Sequence, residues 1–519
     1  AYTDNAEWIK NNPQDADYYY SIPVGGNSLD ALYAKRPHVE KTLLHITGID
    51  AAAPPVYVTG GVYCGGNSAT LDKDGDQSNV TAKFMIGQKV FINGVFLGSN
   101  GENMVSTDIL EKYANDTFSS LDLTKESNFA KYMKGVSVNL VPEIVWEWDD
   151  SDNSNQPGQT KDGGINSFIG AFYCGGNVGS MTTPYQMEMT FPRCLTIYDR
   201  IVGGCNSANI SQGDYNAALE GGVTSDFTNG TSKEDNKAKV VLNVRSRLEP
   251  GKLTVEKDSY GFFKKAGYAL NTKNVNLESA ASDSVYVGAN VYGGCYASGY
   301  INGDVEINIA DDLISPIINK EILNRTADYV HASAMAIYGG GYGEGTEIRG
   351  NTQINFSQNG RALLAFGGGQ MGKIGNDDII GHAEVNFNKN LVLPGDEKDN
   401  LNVYRAYAGG YAGLVTGNTT LNLYSGGVIS AFAGACNADI KGYATAYVGH
   451  ADNYGKGLPY VTNAVYGGND FGGQIEGSAK YTIADGNVSK TVRTQTYVKY
   501  MSGKIGKALY GGSYGSYNY

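Results

Sequence analysis

The sequence predicts an all-β protein that folds as a parallel β-helix (β-solenoid) with irregular loop insertions and a short N-terminal cap. Three observations carry this prediction: a double-glycine corner that returns throughout the chain, short alternating strands behind the corners, and uneven spacing between successive corners. Self-similarity of this kind marks a repeat architecture, so the repeat is weighed before any single motif.

Each corner begins with a hydrophobic residue and usually an aromatic residue, and it continues into two glycines. Glycine permits a positive φ or a close approach to the neighbouring coil, and either property suits a tight corner. We expect the aromatic side chains to stack from coil to coil. The clearest corners start at Val62, Phe172, Ile201, Val291 and Ile337, and degenerate ones start at Phe366, Tyr407, Phe432, Tyr466 and Tyr510.

The segments behind the corners alternate apolar and polar residues. Examples run from Val305 to Ile309, from Thr352 to Phe356 and from Ala383 to Phe387, each with an asparagine at the fourth position. A period of two is typical of a strand with one buried face. We therefore expect a column of asparagines on the face opposite the core.

The distance between double glycines varies, for example 203 − 175 = 28 and 339 − 293 = 46 residues. A propeller blade needs about 40 to 50 residues, which the shorter units cannot supply. Coils of a parallel β-helix need only short strands and tolerate bulging turns. Parallel crossovers are normally right-handed, so we expect a right-handed helix.

Two regions follow from the distribution of repeats. Residues 1–54 lack the strand pattern and are interpreted as an N-terminal cap or docking segment, and residues 55–519 as the repeat domain. Insertions are expected near residues 102–134, 211–237 and 311–331, and the last of these begins with a predicted helix from Asp311 to Asn324.

The charge and hydropathy of the sequence limit the binding partners and the cellular location that we expect. The net charge of −13 argues against nucleic acid or an anionic membrane surface. No apolar run of about 18 residues is present, so no membrane span is predicted. The chain starts at Ala1 without a basic leader, which we interpret as a mature secreted product.

The units from Val291 to Ile309 and from Ala336 to Phe356 resemble the VYGGG-type repeats of large secreted proteins of the Bacteroidota, which are surface-layer or adhesin-like proteins. The resemblance implies an exported structural role at the cell surface. Asp283-Ser284-Val285 is similar to the short O-glycosylation signal of these bacteria, so Ser284 is a glycosylation candidate.

We therefore expect a secreted surface-layer or surface-filament subunit that associates with other copies of itself. The last corner, at Tyr510, is not followed by its alternating strand, which suggests a contact for a second molecule. Cell-surface glycans and outer-membrane proteins are further expected partners. The self-association candidates are Tyr510, Tyr514, Tyr517 and Tyr519.

Two other functions stay open. A glycan-binding or host-binding adhesin would use exposed aromatic residues such as Trp146 and Trp148, although both also fit a packed strand. A polysaccharide-degrading β-helix enzyme would need carboxylates along one sheet. We expect no catalytic residues, because no nucleophile is paired with a base by spacing. The carboxylates considered for the enzyme are Asp304, Glu306, Glu347 and Glu384.

One acidic loop is a calcium candidate. Asp72, Asp74 and Asp76 alternate around a glycine, which is an arrangement of oxygen ligands that calcium accepts. The loop lacks the downstream bidentate glutamate of an EF-hand. A solvated polar loop is the alternative.

Most of the six cysteines lie at or beside the double-glycine corners. Adjacent corners are one strand spacing apart, within the Cα range of a disulfide, and Cys174 with Cys205 is the preferred pair. The alternative is that cysteine serves as a small apolar filler of the corner.

Overall fold

The computed structural model describes most of the repeat region. The described residues are 39, 41–49, 56–66, 81–87, 90–101, 144–148, 168–179, 181–183, 186–191, 196–212, 238–244, 252–257, 263–270, 273–275, 286–287, 290–309, 336–356, 362–387, 401–450, 458–485 and 488–515. These residues form strands, turns and bends, and none of them is helical. Across these ranges the chain therefore offers no apolar helix of membrane-spanning length.

The strands are short, between two and eight residues long. Their bounds are β1 Lys41–Ile46, β2 Val56–Tyr63, β3 Thr81–Ile86, β4 Val90–Phe96, β5 Ile144–Trp148, β6 Phe168–Tyr173, β7 Met181–Thr183, β8 Gln186–Phe191, β9 Thr196–Val202, β10 Ile210–Gln212, β11 Ala238–Val244, β12 Lys252–Lys257, β13 Phe263–Leu270, β14 Lys273–Val275, β15 Tyr286–Val287, β16 Asn290–Tyr292, β17 Ser298–Ile301, β18 Gly303–Ile309, β19 Ala336–Tyr338, β20 Gly345–Ile348, β21 Thr352–Phe356, β22 Ala362–Phe366, β23 Lys373–Ile374, β24 Ala383–Phe387, β25 Leu401–Tyr407, β26 Thr419–Leu423, β27 Gly427–Phe432, β28 Ala444–Val448, β29 Tyr460–Tyr466, β30 Ala479–Asp485, β31 Val488–Thr494, β32 Thr496–Tyr500, β33 Lys504–Ile505 and β34 Ala508–Tyr510.

Three long parallel sheets dominate the fold. Sheet 1 has 13 strands and runs from β2 to β33 and β34, sheet 2 has five strands from β7 to β23, and sheet 3 has eight strands from β8 to β32. Smaller sheets are the parallel β1-β3-β5, the antiparallel β12-β13-β14 and the hairpin β30-β31. The predicted all-β class is confirmed, and parallel pairing excludes the antiparallel blades of a propeller.

From β6 to β24 the chain visits the three sheets in a fixed order, interrupted by the separate sheet β12-β13-β14. After β16 in sheet 1 it enters β17 in sheet 2 and β18 in sheet 3, and it then returns to sheet 1 with β19. From β25 onward the strands alternate between sheet 1 and sheet 3, apart from the hairpin β30-β31. Each new strand pairs with the strand of the preceding repeat, so Val305, Thr352 and Ala383 lie side by side. We call the residues that one repeat contributes to these sheets a rung.

One hydrophobic core receives side chains from all three sheets. Val291 of sheet 1, Ile301 of sheet 2 and Ile307 of sheet 3 belong to the same buried cluster. The alternation in β18 follows the predicted period of two, because every second side chain is buried. Each fully buried aliphatic side chain contributes about 1.5–3 kcal/mol, so the core grows with each added rung.

The second residue after the aromatic position is glycine in every described rung of sheet 1. A Cβ on Gly294 would lie 2.7 Å from the backbone nitrogen of Gly341, and one on Gly368 would lie 2.7 Å from that of Gly410. The positive-φ glycines of the described chain lie elsewhere, so close approach is the property required here. This glycine column comprises Gly65, Gly98, Gly175, Gly204, Gly294, Gly340, Gly368, Gly409, Gly434, Gly468 and Gly512.

The aromatic residues before the glycines stack as expected. Their ring centroids are 4.4–5.1 Å apart, and neighbouring rings are within 13° of parallel. Val202 interrupts this aromatic column. Arg200 lies beside the interruption, where its Nε donates to the Tyr173 hydroxyl at 2.9 Å and its guanidinium lies 4.1 Å from the Tyr296 ring centroid. The column comprises Tyr63, Phe96, Tyr173, Tyr292, Tyr338, Phe366, Tyr407, Phe432, Tyr466 and Tyr510.

Several sequence-based expectations lie outside the described residues. They include the insertions near 102–134 and 311–331, the helix from Asp311 to Asn324, and residues 213–237 of the insertion near 211–237. Within the expected N-terminal cap, β1 pairs in parallel with β3. The antiparallel sheet of residues 252–275 was not anticipated.

Candidate functional site

The outer face of sheet 3 carries the predicted asparagine column. Asn355 Nδ2 donates to Asn308 Oδ1 at 2.9 Å, Asn386 Nδ2 to Asn355 Oδ1 at 2.9 Å, and Asn422 Nδ2 to Asn386 Oδ1 at 2.8 Å. The neighbouring Ile307 and Ile354 point into the core. The column is therefore a continuous amide ladder, and each rung positions the next one.

A polar groove of about 480 Å³ lies beside this ladder. The register places Glu306, Gln353 and Glu384 in one column across adjacent strands. Asp304 lies two residues before Glu306 on β18, and His382 lies two residues before Glu384, immediately ahead of β24. Asp304, Asn351 and His382 form the first column of the groove, and Glu306, Gln353 and Glu384 form the second. The lining comprises Asp304, Val305, Glu306, Asn351, Thr352, Gln353, His382, Ala383, Glu384, Asn418 and Thr420.

The first column of the groove is fixed by backbone hydrogen bonds. The Asn351 N–H donates to Asp304 Oδ1 at 2.6 Å, and the His382 N–H donates to Asn351 Oδ1 at 3.0 Å. The Asn418 N–H donates to His382 Nδ1 at 2.9 Å. Nδ1 is therefore the unprotonated nitrogen of His382, and a proton on the neutral ring resides on Nε2.

The carboxylates of the second column accept amide hydrogens. Glu384 Oε1 accepts from Gln353 Nε2 and from Asn422 Nδ2, both at 3.2 Å. Glu306 Oε1 accepts from Asn308 Nδ2 at 3.0 Å. The groove thus presents oriented acceptors, which suit hydroxyl or amino groups of a ligand.

Three of the four carboxylates considered for catalysis meet in this groove, and Glu347 does not. Glu347 lies on β20 in sheet 2, where its Oε1 accepts from Arg349 Nε at 2.6 Å and from Asn376 Nδ2 at 2.8 Å. Sequence alone did not separate the two sheets, because both place a glutamate on a short strand behind a corner.

An aromatic patch that the sequence did not indicate continues the face of sheet 3. The hairpin of β30 and β31 brings Tyr481 over β28 and β32, where its ring centroid lies 3.9 Å from that of Tyr497. The Tyr481 hydroxyl is 2.7 Å from Thr445 Oγ1, and Tyr443 meets Tyr481 edge-on. Acceptors at one end of the face are thus followed by rings at the other.

The last described rung of sheet 1 forms a second candidate site, and we call residues 504–515 the terminal rung. Leu509, Tyr510 and Tyr514 are 44%, 47% and 51% exposed. Tyr510 stacks on Tyr466 at 4.8 Å, whereas no described atom lies within 4 Å of a Cβ built on Gly512. The remaining candidates Tyr517 and Tyr519 lie outside the described residues.

The other predicted sites are largely undescribed. Asp72, Asp74, Asp76 and Ser284 lie outside the described residues. Trp146 and Trp148 lie in β5, for which the structure gives the backbone course only. Among the side chains that are described, no three His, Cys, Asp or Glu residues cluster as a cation site.

The register between β6 and β9 does not place Cys174 opposite Cys205, the predicted disulfide partner. Tyr173 pairs with Val202, which sets Cys174 beside Gly203 and Cys205 beside Gly176. Both cysteines are buried and free in the structure. They lie on adjacent rungs but two positions apart, and their pairing stays a prediction.

Comparison with known proteins returns no match. No protein-family model, no curated protein and no solved structure matches the chain. The proposals that follow rest on the residues and contacts described above.

Proposed function

We propose that the three long sheets close around their common core as a parallel β-helix. The fixed order in which the chain visits the sheets from β6 to β24 supports this closure, and so does the single buried cluster that all three share. Each rung then adds about 4.8 Å along the axis, so the repeat region forms a rod.

We further propose that the rod is a structural protein of the cell surface that associates with copies of itself through the terminal rung. The observation that carries this proposal is the exposure of Leu509, Tyr510 and Tyr514 at positions that interior rungs bury. The glycine-rich composition and the resemblance of the repeats to secreted surface proteins support the location.

A second copy of the chain is the occupant that fits this end. Interior rungs bind one another by repeating the same columns, with aromatic on aromatic and glycine against a small residue. A docked rung of a second copy offers the same columns to Tyr510 and Gly512. It also pairs the outer edge of β34, to which no described strand is hydrogen-bonded.

The test is a Gly512→Ala substitution followed by sedimentation velocity over a range of concentrations. A Cβ at this position meets no described atom in the single chain, yet in a docked pair it meets the incoming backbone, as at Gly368. We expect the wild type to associate, and the variant to keep its melting temperature and remain monomeric.

The matched control is Gly94→Ala, where the nearest atom to a new Cβ is 3.6 Å away and the terminal rung is distant. This variant should associate like the wild type. A wild type that stays monomeric, or a Gly512→Ala variant that associates normally, contradicts the proposal.

Glycan binding is the second candidate function, and the groove on sheet 3 is the observation that favours it. Its carboxylate and amide acceptors and the adjacent tyrosines are the groups that recognise sugar hydroxyls and sugar rings. We expect soluble neutral and amino-sugar oligosaccharides to bind without cleavage, and Glu384→Gln to weaken binding at least several-fold. Glu344→Gln, on an exposed turn outside the groove, is the control.

Isothermal titration with these oligosaccharides and an assay for new reducing ends separate the alternatives. Binding without new ends supports an adhesin, and new ends that disappear in Glu384→Gln support an enzyme. Binding that Glu384→Gln leaves unchanged removes the groove from either function.

A further inference from the structure

We propose that Cys205 and Cys295 form a disulfide that joins two adjacent rungs in the exported protein. The proposal rests on the proposed secretion for an oxidising environment and goes beyond the structural role, because it assigns a covalent modification to the core.

The register places these two cysteines at the same position of neighbouring rungs. Ile201 pairs with Val291, and Val202 pairs with Tyr292. Cys205 is the third residue after Val202, and Cys295 is the third residue after Tyr292. The pairing continues through the corner, because the Tyr296 N–H donates to the Cys205 carbonyl oxygen at 2.9 Å. Their Cα atoms are thus about one strand spacing apart, roughly 4.8 Å, within the range that disulfides accept.

The sulfur of Cys295 already points towards the rung of Cys205. Its Sγ lies 2.7 Å from the point where Gly204 would carry a Cβ. The sulfur of Cys205 leans the same way, towards Gly175 of the preceding rung, so the bond requires rotation of the Cys205 side chain about Cα–Cβ. Gly204 and Gly175 leave space for the two sulfur atoms, and a larger residue at either position would fill that space.

Burial determines when the bond forms. Both side chains are fully buried, and burial raises the pKa of the Cys295 thiol to about 12 and raises that of Cys205 as well. Thiolate, the reactive form, is therefore scarce once the rungs have closed. Oxidation belongs to the folding phase, before the core excludes the oxidant.

The chemistry balances with a disulfide oxidant. Each thiol loses its hydrogen, the Sγ–Sγ bond forms, and two electrons and two protons pass to a partner such as oxidised glutathione, which becomes two thiols. The bond closes a loop of 295 − 205 = 90 residues. It holds the register between β9 and β16, which the chain would otherwise have to find across a long intervening segment.

The test is refolding of the full chain from urea in a mixture of oxidised and reduced glutathione. Remaining thiols are then alkylated under denaturing conditions, and the protein is digested without reduction for mass spectrometry. We expect a peptide that links Cys205 to Cys295, with a mass lower by two hydrogen atoms than the sum of its reduced parts.

Two variants sharpen the assignment. Cys205→Ala should leave Cys295 fully alkylated, and the same column tolerates alanine at Ala435. Cys174→Ala should leave the linked peptide in place, and Ala408 occupies the position equivalent to Cys174 in a later rung. Complete alkylation of both cysteines in the refolded wild type, or a peptide that links Cys205 to Cys174, overturns the proposal.

This outcome is independent of the structural role and of the location. Refolding in glutathione supplies the oxidant directly, so a missing bond argues against the pairing itself. A bond that forms here but is absent from protein isolated from its natural source argues against secretion instead.

Discussion

Two rungs of sheet 1 share one sequence pattern and differ in environment. In the rung of residues 460–471, Val465, Tyr466 and Asp470 are 0%, 4% and 1% exposed. Their counterparts in the terminal rung are Leu509, Tyr510 and Tyr514, and each is about half exposed. Burial in this fold is thus supplied by the following rung rather than by the residue's own repeat.

The comparison also explains the glycine column. Gly468 and Gly512 occupy equivalent positions, but a Cβ on Gly468 would lie 2.9 Å from the backbone nitrogen of Ser513, and one on Gly512 would have no described atom within 4 Å. The glycine requirement therefore comes from the neighbour. At the terminal rung no described residue supplies this neighbour.

The largest difference is expected for truncation of the aromatic column. Phe432→Ala removes a ring buried between Tyr407 and Tyr466 and should lower the free energy of unfolding by about 3–5 kcal/mol. Tyr510→Ala removes a ring that stacks on Tyr466 and has no described ring on its other side, so it should cost about 1 kcal/mol. Urea denaturation of the two variants checks the ratio, and equal losses would contradict the one-sided terminal rung.

Overpacking of the glycine column comes next. In Gly368→Ala the new methyl group pushes the backbone of Gly409 and Gly410 in the next rung away from residue 368. This substitution should destabilise the protein by about 1–3 kcal/mol. Gly512→Ala should change stability by less than about 0.5 kcal/mol in the monomer. Thermal melts at low protein concentration test this, and a large loss in Gly512→Ala would show that its own chain covers the end.

The amide ladder of sheet 3 offers a similar contrast. Asn386 is fully buried and hydrogen-bonded to Asn355 and Asn422, so Asn386→Ala should cost about 1–3 kcal/mol. Lys499, on β32 at the end of the same column, is exposed, and Lys499→Ala should be nearly neutral. If the two substitutions had the same effect on the urea midpoint, the ladder would carry no stability.

The smallest effect concerns pH. Burial raises the pKa of Asp470 above the ordinary 3.8, against the opposing effects of the Tyr407 hydroxyl at 2.7 Å and the Arg405 guanidinium. A raised folded-state pKa means that the stability from this group is present below the unfolded pKa and is lost as pH rises through the folded value.

Asp470→Asn removes that titration. The wild type should therefore gain stability relative to the variant as pH falls from about 7 to about 4, measured as the difference between their urea midpoints. The opposite slope would mean that Arg405 and Tyr407 outweigh burial and lower the pKa.

Features that repeat were predictable from the sequence, because each copy supports the others. The double-glycine corners, the stacking of residues such as Tyr338 on Phe366, and the asparagine column all follow from period and composition. The rung at Val95-Phe96-Leu97-Gly98-Ser99 does not show the double-glycine pattern, because leucine and serine flank its single glycine.

What depends on the register between rungs was less accessible. Cys174 precedes its glycines and Cys205 follows its own, and this difference of two positions decides which sulfurs are neighbours. The groove likewise depends on which sheet a strand joins, which separates Glu384 from Glu347. The register between rungs and the sheet that a strand joins cannot be read from the sequence of one repeat, because both depend on how neighbouring repeats pair.

Electron cryomicroscopy of the purified protein, with and without a calcium chelator, tests the central claim most directly. The account predicts particles joined through residues 504–515, with strand spacing of about 4.8 Å continuing across the junction. Loss of the junction on chelation would connect it to the predicted calcium loop at Asp72, Asp74 and Asp76. Single particles whose own chain covers Tyr510 and Gly512 in both conditions would contradict the account.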